Sequence, residues 1–463
     1  LFLNSNGTVK TAQKISDTQG GFTGGLKIKD TFGVAIEPIG DLDGDGIVDI
    51  AVGAVQDDDG GTDRGAVWIL FLNTDGTVKS QQKISDTQGN FTGVLNNSDR
   101  FGIGIAALND LDGDGVNDIA VGARDDDDGG TNQGAIWVLF LNSDGTVKSH
   151  QKISEIAGLF TGSLDNVDGF AAEIAPIGDL NGDNIMDIAV SAHRDDDGGT
   201  DRGAVWILFL NNNGTVNSHQ KISATAGGFS GPLMDGDNFG FAITEIGDLD
   251  RDGVVDLAVG ADFDDDGGFR QGAIWILFLN SDGTVKGHQK ISETTGNFTG
   301  VLDPSDLFGH SLASLGDLNN DGITDIITGA ELDDDGGTNK GALWVLFLNG
   351  PDCQNFACGK NGGKVQMCHI PPGNSTNAHE ICISLNAVDA HLAHGDFCGP
   401  CNSSSKNDQS YLEKAELLVQ RERVSIYPNP FTNSFFIKLN QDIIIENEHI
   451  EVRIYDLFGR TVK

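Results

Sequence analysis

Five tryptophans, Trp68, Trp137, Trp206, Trp275 and Trp344, stand 69 residues apart each time, and the chain has no others. A period that does not drift over five copies marks a repeat architecture, in which each copy is one supersecondary unit stacked on its neighbours. Every copy carries the same parts in the same order. A Phe-Gly run such as "RFGIGIAAL" leads into an acidic loop, "DLDGDG", and a short apolar strand, "DIAVGA". "DDDGGT" follows, then a near-continuous apolar strand "GAVWILFLN", a turn "TDGT", and "VKSQQKIS". Four short strands per repeat, parted by Gly/Asp/Asn turns and without helical periodicity, predict an all-β chain. Four antiparallel strands repeated about a ring make the blade of a β-propeller, here with at least five blades over residues 1–349.

The first residues, "LFLNSNGTVKTAQKIS", align with the end of a repeat, so part of a further blade is expected upstream of Leu1. A signal peptide would lie there too. The last copy reaches "GALWVLFLNG" without a fourth strand, and in a closed ring that strand is expected from residues near Gln13 to Ser16.

Charge narrows the partners. Against 29 basic side chains stand 69 acidic ones, a net charge of −40. Such a field repels phosphate backbones and anionic lipid, so nucleic acid and membrane surfaces are excluded, and it favours cations. No apolar run approaches the roughly 18 residues of a membrane-spanning helix.

Much of the acid sits in the five loops, which begin at Asp41, Asp110, Asp179, Asp248 and Asp317. Position 3 is Asp43, Asp112, Asn181, Asp250 and Asn319; position 5 is Asp45, Asp114, Asp183, Asp252 and Asp321. Position 9 is Asp49, Asp118, Asp187, Asp256 and Asp325. Like charges this close repel unless a cation sits among them. Calcium takes six to eight oxygens, and alternating side chains on a tight loop converge on one point, with a backbone carbonyl usual at position 7. That position is Ile47, Val116, Ile185, Val254 and Ile323, which can offer only the carbonyl. Position 6 is glycine except for Asn184, the next-best residue for positive φ. Position 12 lies within a strand and is Val52, Val121, Val190, Val259 or Thr328, so an EF-hand with its closing Glu is ruled out. Asp and Gly are also ordinary turn formers, but that does not account for the same alternation five times. About one Ca2+ per acidic loop is the expectation.

The Phe-Gly runs (Phe32-Gly33, Phe101-Gly102, Phe239-Gly240, Phe308-Gly309), the loops and the Val-Gly-Ala strands together resemble FG-GAP repeats, as in the propeller of integrin α subunits. The third copy departs, with Phe170-Ala171 and "AVSA". The resemblance implies a calcium-bearing propeller used for binding rather than catalysis. It also implies that ligand, an unidentified protein or glycan, meets the face opposite the calcium loops. "DDDGG", at Asp57, Asp126, Asp195, Asp264 and Asp333, lies on that face, as do the long links into the next Phe-Gly. It reads either as a solvated turn, as a second cation site or as a complement to a basic partner. His150, His219 and His288 keep the same period and read as structural positions on a strand.

All six cysteines, Cys353, Cys358, Cys368, Cys382, Cys398 and Cys401, fall within residues 350–401 and mark a separate small module. Three disulfides allow 15 pairings. Zinc is the rival, drawing on Cys368, His369, His379, His391 and His394, and an exported context favours disulfides. Residues 402–423 read as a polar linker. In 424–463, "YPNPF" at Tyr427–Phe431 and "DLFG" at Asp456–Gly459 resemble the C-terminal sorting domain of type IX secretion substrates of Bacteroidetes. That resemblance implies a partial Ig-like β-sandwich, engagement of the type IX machinery, and release from the cell or display on its surface. Further strands are expected beyond Lys463.

The leading expectation is a secreted or surface-anchored, calcium-stapled propeller that binds a protein or glycan, in adhesion. The alternative is an accessory region of an exported enzyme whose catalytic domain lies upstream. A purely structural spacer is a third. Within the visible repeats no nucleophile–base arrangement stands out, and a non-enzymatic chain is expected.

Overall fold

The computed structural model describes residues 2–3, 9–319 and 321–349, and beyond them 357–358, 364–369, 379–384, 387–388, 391, 397–398, 424–427 and 436–439. Contacts divide the chain into two compact units, one of residues 1–352 with 386–395, the other of 353–385 with 396–463.

Each 69-residue copy folds as one blade of a five-bladed propeller. The second blade is an antiparallel sheet of Phe101–Asn109, Asp118–Ala123, Ala135–Leu141 and Val147–Ile153, paired in sequence order. The first, third and fourth blades repeat that order, and the fifth has three strands, Phe308–Gly316, Asp325–Ala330 and Ala342–Leu346. The apolar third strand is explained by its neighbours on both faces. One face of Ala66–Leu72 places Val67, Ile69 and Phe71 in a cluster with Ile119, Val121, Trp137 and Leu139 of the next blade. The other face places Trp68 and Leu70 with Phe22 and Val52. The pattern recurs between the second and third blades, and between the third and fourth. In the fifth blade the equivalents of the first three residues, Leu343, Val345 and Phe347, are exposed.

The N-terminal strand does not complete that fifth blade. Val9–Thr11 pairs with Phe2–Leu3, while Ser16 bridges back to Gln19. The physical reason is local: a hairpin partner a few residues away closes a far shorter loop than one at the other end of the repeats.

The Phe-Gly and Val-Gly-Ala motifs prove to be two halves of one contact. Gly102 has φ 97°, and its carbonyl faces Gly53 of the preceding blade so closely that a Cβ there would lie 2.0 Å from the oxygen. In the third copy Ala171 takes the same role at φ 66°, and its carbonyl stands equally close to Gly122. The departure noted in the sequence is therefore absorbed without a change of packing.

"DDDGG" is largely internal. Its first and third aspartates clamp the lysine of "QKIS": Lys152 Nζ lies 2.8 Å from Asp126 and 2.7 Å from Asp128, and 5.2 Å from the Trp137 ring centroid. The same triad is built by Lys83, Lys221 and Lys290 in the other four-stranded blades. The first aspartate is buried in every copy, so the cation of this motif is a side chain. His150, His219 and His288 hold structural positions, each tilted onto a Phe and a Trp and bonded to a hydroxyl of the preceding link.

In the second unit, Lys364–His369 pairs with His379–Ser384, and Ala357–Cys358 and Phe397–Cys398 add to it. Cys358 and Cys382 form a disulfide, and Cys368 is also disulfide-bonded, which takes these thiols away from a zinc site. Cys353 and Cys401 lie outside the described residues, as does the 402–423 linker. Of the sorting region, the hairpin Val424–Tyr427 with Phe436–Leu439 is described.

Because Asp126 is fully buried, Lys152→Met leaves a carboxylate without its cation. It is expected to cost about 3–5 kcal/mol in chemical denaturation. A loss under 1 kcal/mol would show that the clamp contributes little.

Candidate metal centre

The acidic loops join the first and second strands of each blade. Each is held open by its own backbone. Asp41 accepts the N–H of Asp45 on Oδ1 (2.9 Å) and of Gly46 on Oδ2 (2.7 Å), and Asp45 Oδ1 accepts Ile47 N–H (2.9 Å). The second, third, fourth and fifth loops repeat this network. The turn needs positive φ at position 6, which Gly46 (88°) and Asn184 (67°) both supply. The position-7 side chain leans on the core, as with Val116, Ile185 and Val254.

The position-9 aspartates are the buried end of each loop. Asp118 Oδ2 accepts Leu111 N–H and Oδ1 accepts Leu141 N–H, both at 3.0 Å, which ties the loop to the third strand. Burial pushes Asp118, Asp187 and Asp256 up to about 7, against the lowering effect of those N–H groups.

Three sets of carboxylates converge: Asp41, Asp43 and Asp45; Asp110, Asp112 and Asp118; Asp248, Asp250 and Asp256. In each set one oxygen per residue lies within 4.8 Å of the others. Asp112 Oδ1 is buried without a hydrogen-bond partner, the mark of an oxygen that wants a cation. An all-oxygen donor set of this kind fits a hard divalent ion. The third and fifth loops, with Asn181 and Asn319, each have one carboxylate fewer but the same turn.

Two groups of residues lie outside the motifs read from the sequence. The inner strands of all five blades line a cavity of about 1250 Å³. The position held by Val55, Arg124, His193, Asp262 and Glu331 differs in every copy. There His310 Nδ1 meets Asp262 and Nε2 meets Glu331, both at 3.0 Å. Comparing the copies column by column would have flagged this position. The second group keeps the period: Asp30, Asp99, Asp168, Asp237 and Asp306 are buried in the links, just ahead of each Phe-Gly. Burial raises Asp99, Asp168 and Asp237 to about 7.

The face opposite the metal loops is formed by "DDDGG" and the links, joined by bonds such as Thr131 N–H to Asn166 Oδ1 (2.8 Å). Several of its exposed apolar residues depart from the repeat, whereas exposed Val301 is matched by exposed Val94 in the second copy. Phe269 stands where other copies have Thr62, Thr131, Thr200 and Thr338, and Ile156 where they have Thr87, Thr225 and Thr294. Leu159, Met234 and Val301 are likewise exposed there. The Arg270 guanidinium lies 4.0 Å from the Phe263 ring centroid and 5.2 Å from that of Phe269.

Comparison with known proteins agrees with this geometry. The FG-GAP repeat model matches residues 32–70, 101–139, 170–208, 243–277 and 308–346, and the secretion system C-terminal sorting domain matches 425–463. Integrin alpha-2 of Mus musculus is 35% identical over 156 residues, 33% of this chain and 12% of the relative. Integrin alpha-3 of Cricetulus griseus is 30% identical over 201 residues, 42% of this chain and 17% of the relative. Integrin alpha-PS5 of Drosophila melanogaster is 30% identical over 153 residues, 33% and 14% of the two chains. The chain thus spans less than a fifth of these relatives. The structure of rhamnogalacturonan lyase YesW aligns over 63% of this chain and 54% of its own, at 15% identity and a TM-score of 0.33, too low to carry an argument. The chain carries five FG-GAP repeats and a type IX sorting domain, which mark it as secreted or displayed on the cell surface. No helix among the described residues is long and apolar enough to cross a membrane.

The link aspartates set a sign for pH. Their folded pKa lies above the unfolded value, so the stability they contribute is full below about pH 4 and is lost as pH rises through about 7. Substituting Asp99, Asp168 and Asp237 by Asn is expected to flatten the fall in stability between those limits. An unchanged slope in pH-dependent unfolding would remove them as its source.

Proposed function

We propose that this chain, with its five FG-GAP repeats and sorting domain, is a calcium-stapled binding module that acts outside the cell in adhesion. The convergence of three carboxylate sets on three separate loops carries the reading. Aspartates at positions 1, 3, 5 and 9 and the position-7 carbonyl would hold the ion. Bound calcium supplies the positive charge that lets four carboxylates share one loop and stay there. The chain's own residues do the rest: backbone N–H groups fix each aspartate, and the position-9 side chain couples the loop to the third strand.

Ligand, a protein or glycan, is assigned to the opposite face. The first and third aspartates of "DDDGG" are held by internal lysines in four blades, which leaves the middle aspartate as the motif's exposed acid. Exposed Phe269, Met234, Val301, Ile156 and Leu159, most of them where the repeat is broken by apolar side chains, are the contact residues this reading selects.

Thermal unfolding of the chain with calcium and then with excess chelator, together with a metal count, tests the staple. A large fall in Tm on chelation with about one ion per loop is expected, since ligand bound only to the native state stabilises it by mass action. No shift and no bound metal would overturn it. For the recognition face, Phe269→Ser with Val301→Ser is expected to abolish binding on protein and glycan arrays at unchanged Tm. Binding that survives the pair would place the ligand elsewhere.

A further inference from the structure

A lysine on the outer strand reaches back onto three of the five acidic loops. Lys79 Nζ lies 2.5 Å from Asp43 Oδ2 and also contacts Asp45 Oδ2. Lys148 Nζ lies 2.5 Å from Asp112 Oδ2 and contacts Asp114 Oδ2. Lys286 Nζ lies 2.8 Å from Asp250 Oδ2 and contacts Asp252 Oδ2. In each loop the other oxygen of the position-5 aspartate accepts the N–H of position 7. The ammonium therefore takes the oxygens that the backbone leaves available.

The repeats vary this lysine together with the loop it touches. In the third copy Asn217 stands at the lysine's place, and there position 3 is Asn181, whose amide donates to Asp183 Oδ2 at 3.0 Å. Four carboxylates with one ammonium, in the first and second copies, leave the same charge of −3 as three carboxylates with none, in the third; the fourth loop carries Arg251 besides its lysine. The fifth copy, with Asn319, uses its amide on Asp321 Oδ2 in the same way at 2.9 Å.

We propose that Lys79, Lys148 and Lys286 are tethered counter-cations that compete with calcium for the position-3 and position-5 carboxylates. The inference rests on the calcium reading above. Ammonium and ion cannot hold the same oxygens, so calcium must displace the lysine in the first, second and fourth loops. In the third it meets no such competitor. Loading is then graded by blade. When calcium is withdrawn, the lysines limit carboxylate repulsion and keep the outer strand fastened to the loop.

The test is calcium titration of the full chain, wild type against K79Q/K148Q/K286Q and against N217K, with Tm measured in excess chelator. Pairs this exposed are weak, so removing the three lysines is expected to tighten calcium about three- to fivefold at three sites and to lower the chelated Tm. Asn217→Lys, which leaves the other blades untouched, is expected to weaken one site by a similar factor. Calcium uptake with unchanged or weaker affinity in the triple variant, or an unaltered third site in N217K, overturns the lysine proposal alone. A wild-type chain that takes up no calcium overturns the metal reading beneath it.

Discussion

Burial of one apolar strand on both of its faces is the constraint from which the rest of this architecture follows. Residues such as Val67, Ile69 and Phe71 cannot be covered by their own sheet, because both faces of their strand are apolar and point away from it. They need the next blade, whose Trp137 and Leu139 fill the gap. Burial of side chains this large stabilises by roughly 1.5–3 kcal/mol each. One blade is therefore no stable unit, and stacking supplies what it lacks. The Gly53–Gly102 approach follows from the same demand, since only backbones without a Cβ between them let the sheets come that close.

The second demand is electrostatic. A chain of net charge −40 pairs its acid in two ways on two faces. On the link side the cation is a side chain of the protein itself: Lys83, Lys152, Lys221 and Lys290 sit between two aspartates beside a tryptophan. On the loop side the carboxylates converge around a space suited to an exchangeable cation, with a lysine as a weaker tenant of the same oxygens. The difference in burial explains the difference in role. Asp126 cannot tolerate losing its partner, whereas Asp43 and Asp45 are near enough to solvent for a cation to come and go.

Where the repeat is strict, residues serve the fold; where it breaks, packing no longer dictates the side chain. Trp, Phe-Gly and the loop aspartates recur because every blade poses the same packing problem. Phe269, Met234 and Ile156 replace small polar residues at exposed positions, where packing imposes nothing. The position running from Val55 through Arg124, His193, Asp262 and Glu331 also differs in every copy; Val55, Arg124 and His193 line the cavity, and Asp262 and Glu331 pair with His310, which lines it too.

Periodicity alone determined the blade, its four strands, the order of its loops and the carboxylates that gather at one end, because each of these depends on residues within 69 positions of one another. The left-handed turn at Asn184 and the structural place of the three histidines were legible for the same reason. Tertiary structure decided which of these residues meet. It showed that "DDDGG" is spent on a lysine, because residues 26 positions apart meet only once the third and fourth strands pair. It kept the N-terminal strand in its own hairpin, since short loop closure outcompetes a distant edge. It also joined Phe-Gly to the preceding Val-Gly-Ala, an encounter between blades that a linear motif cannot display.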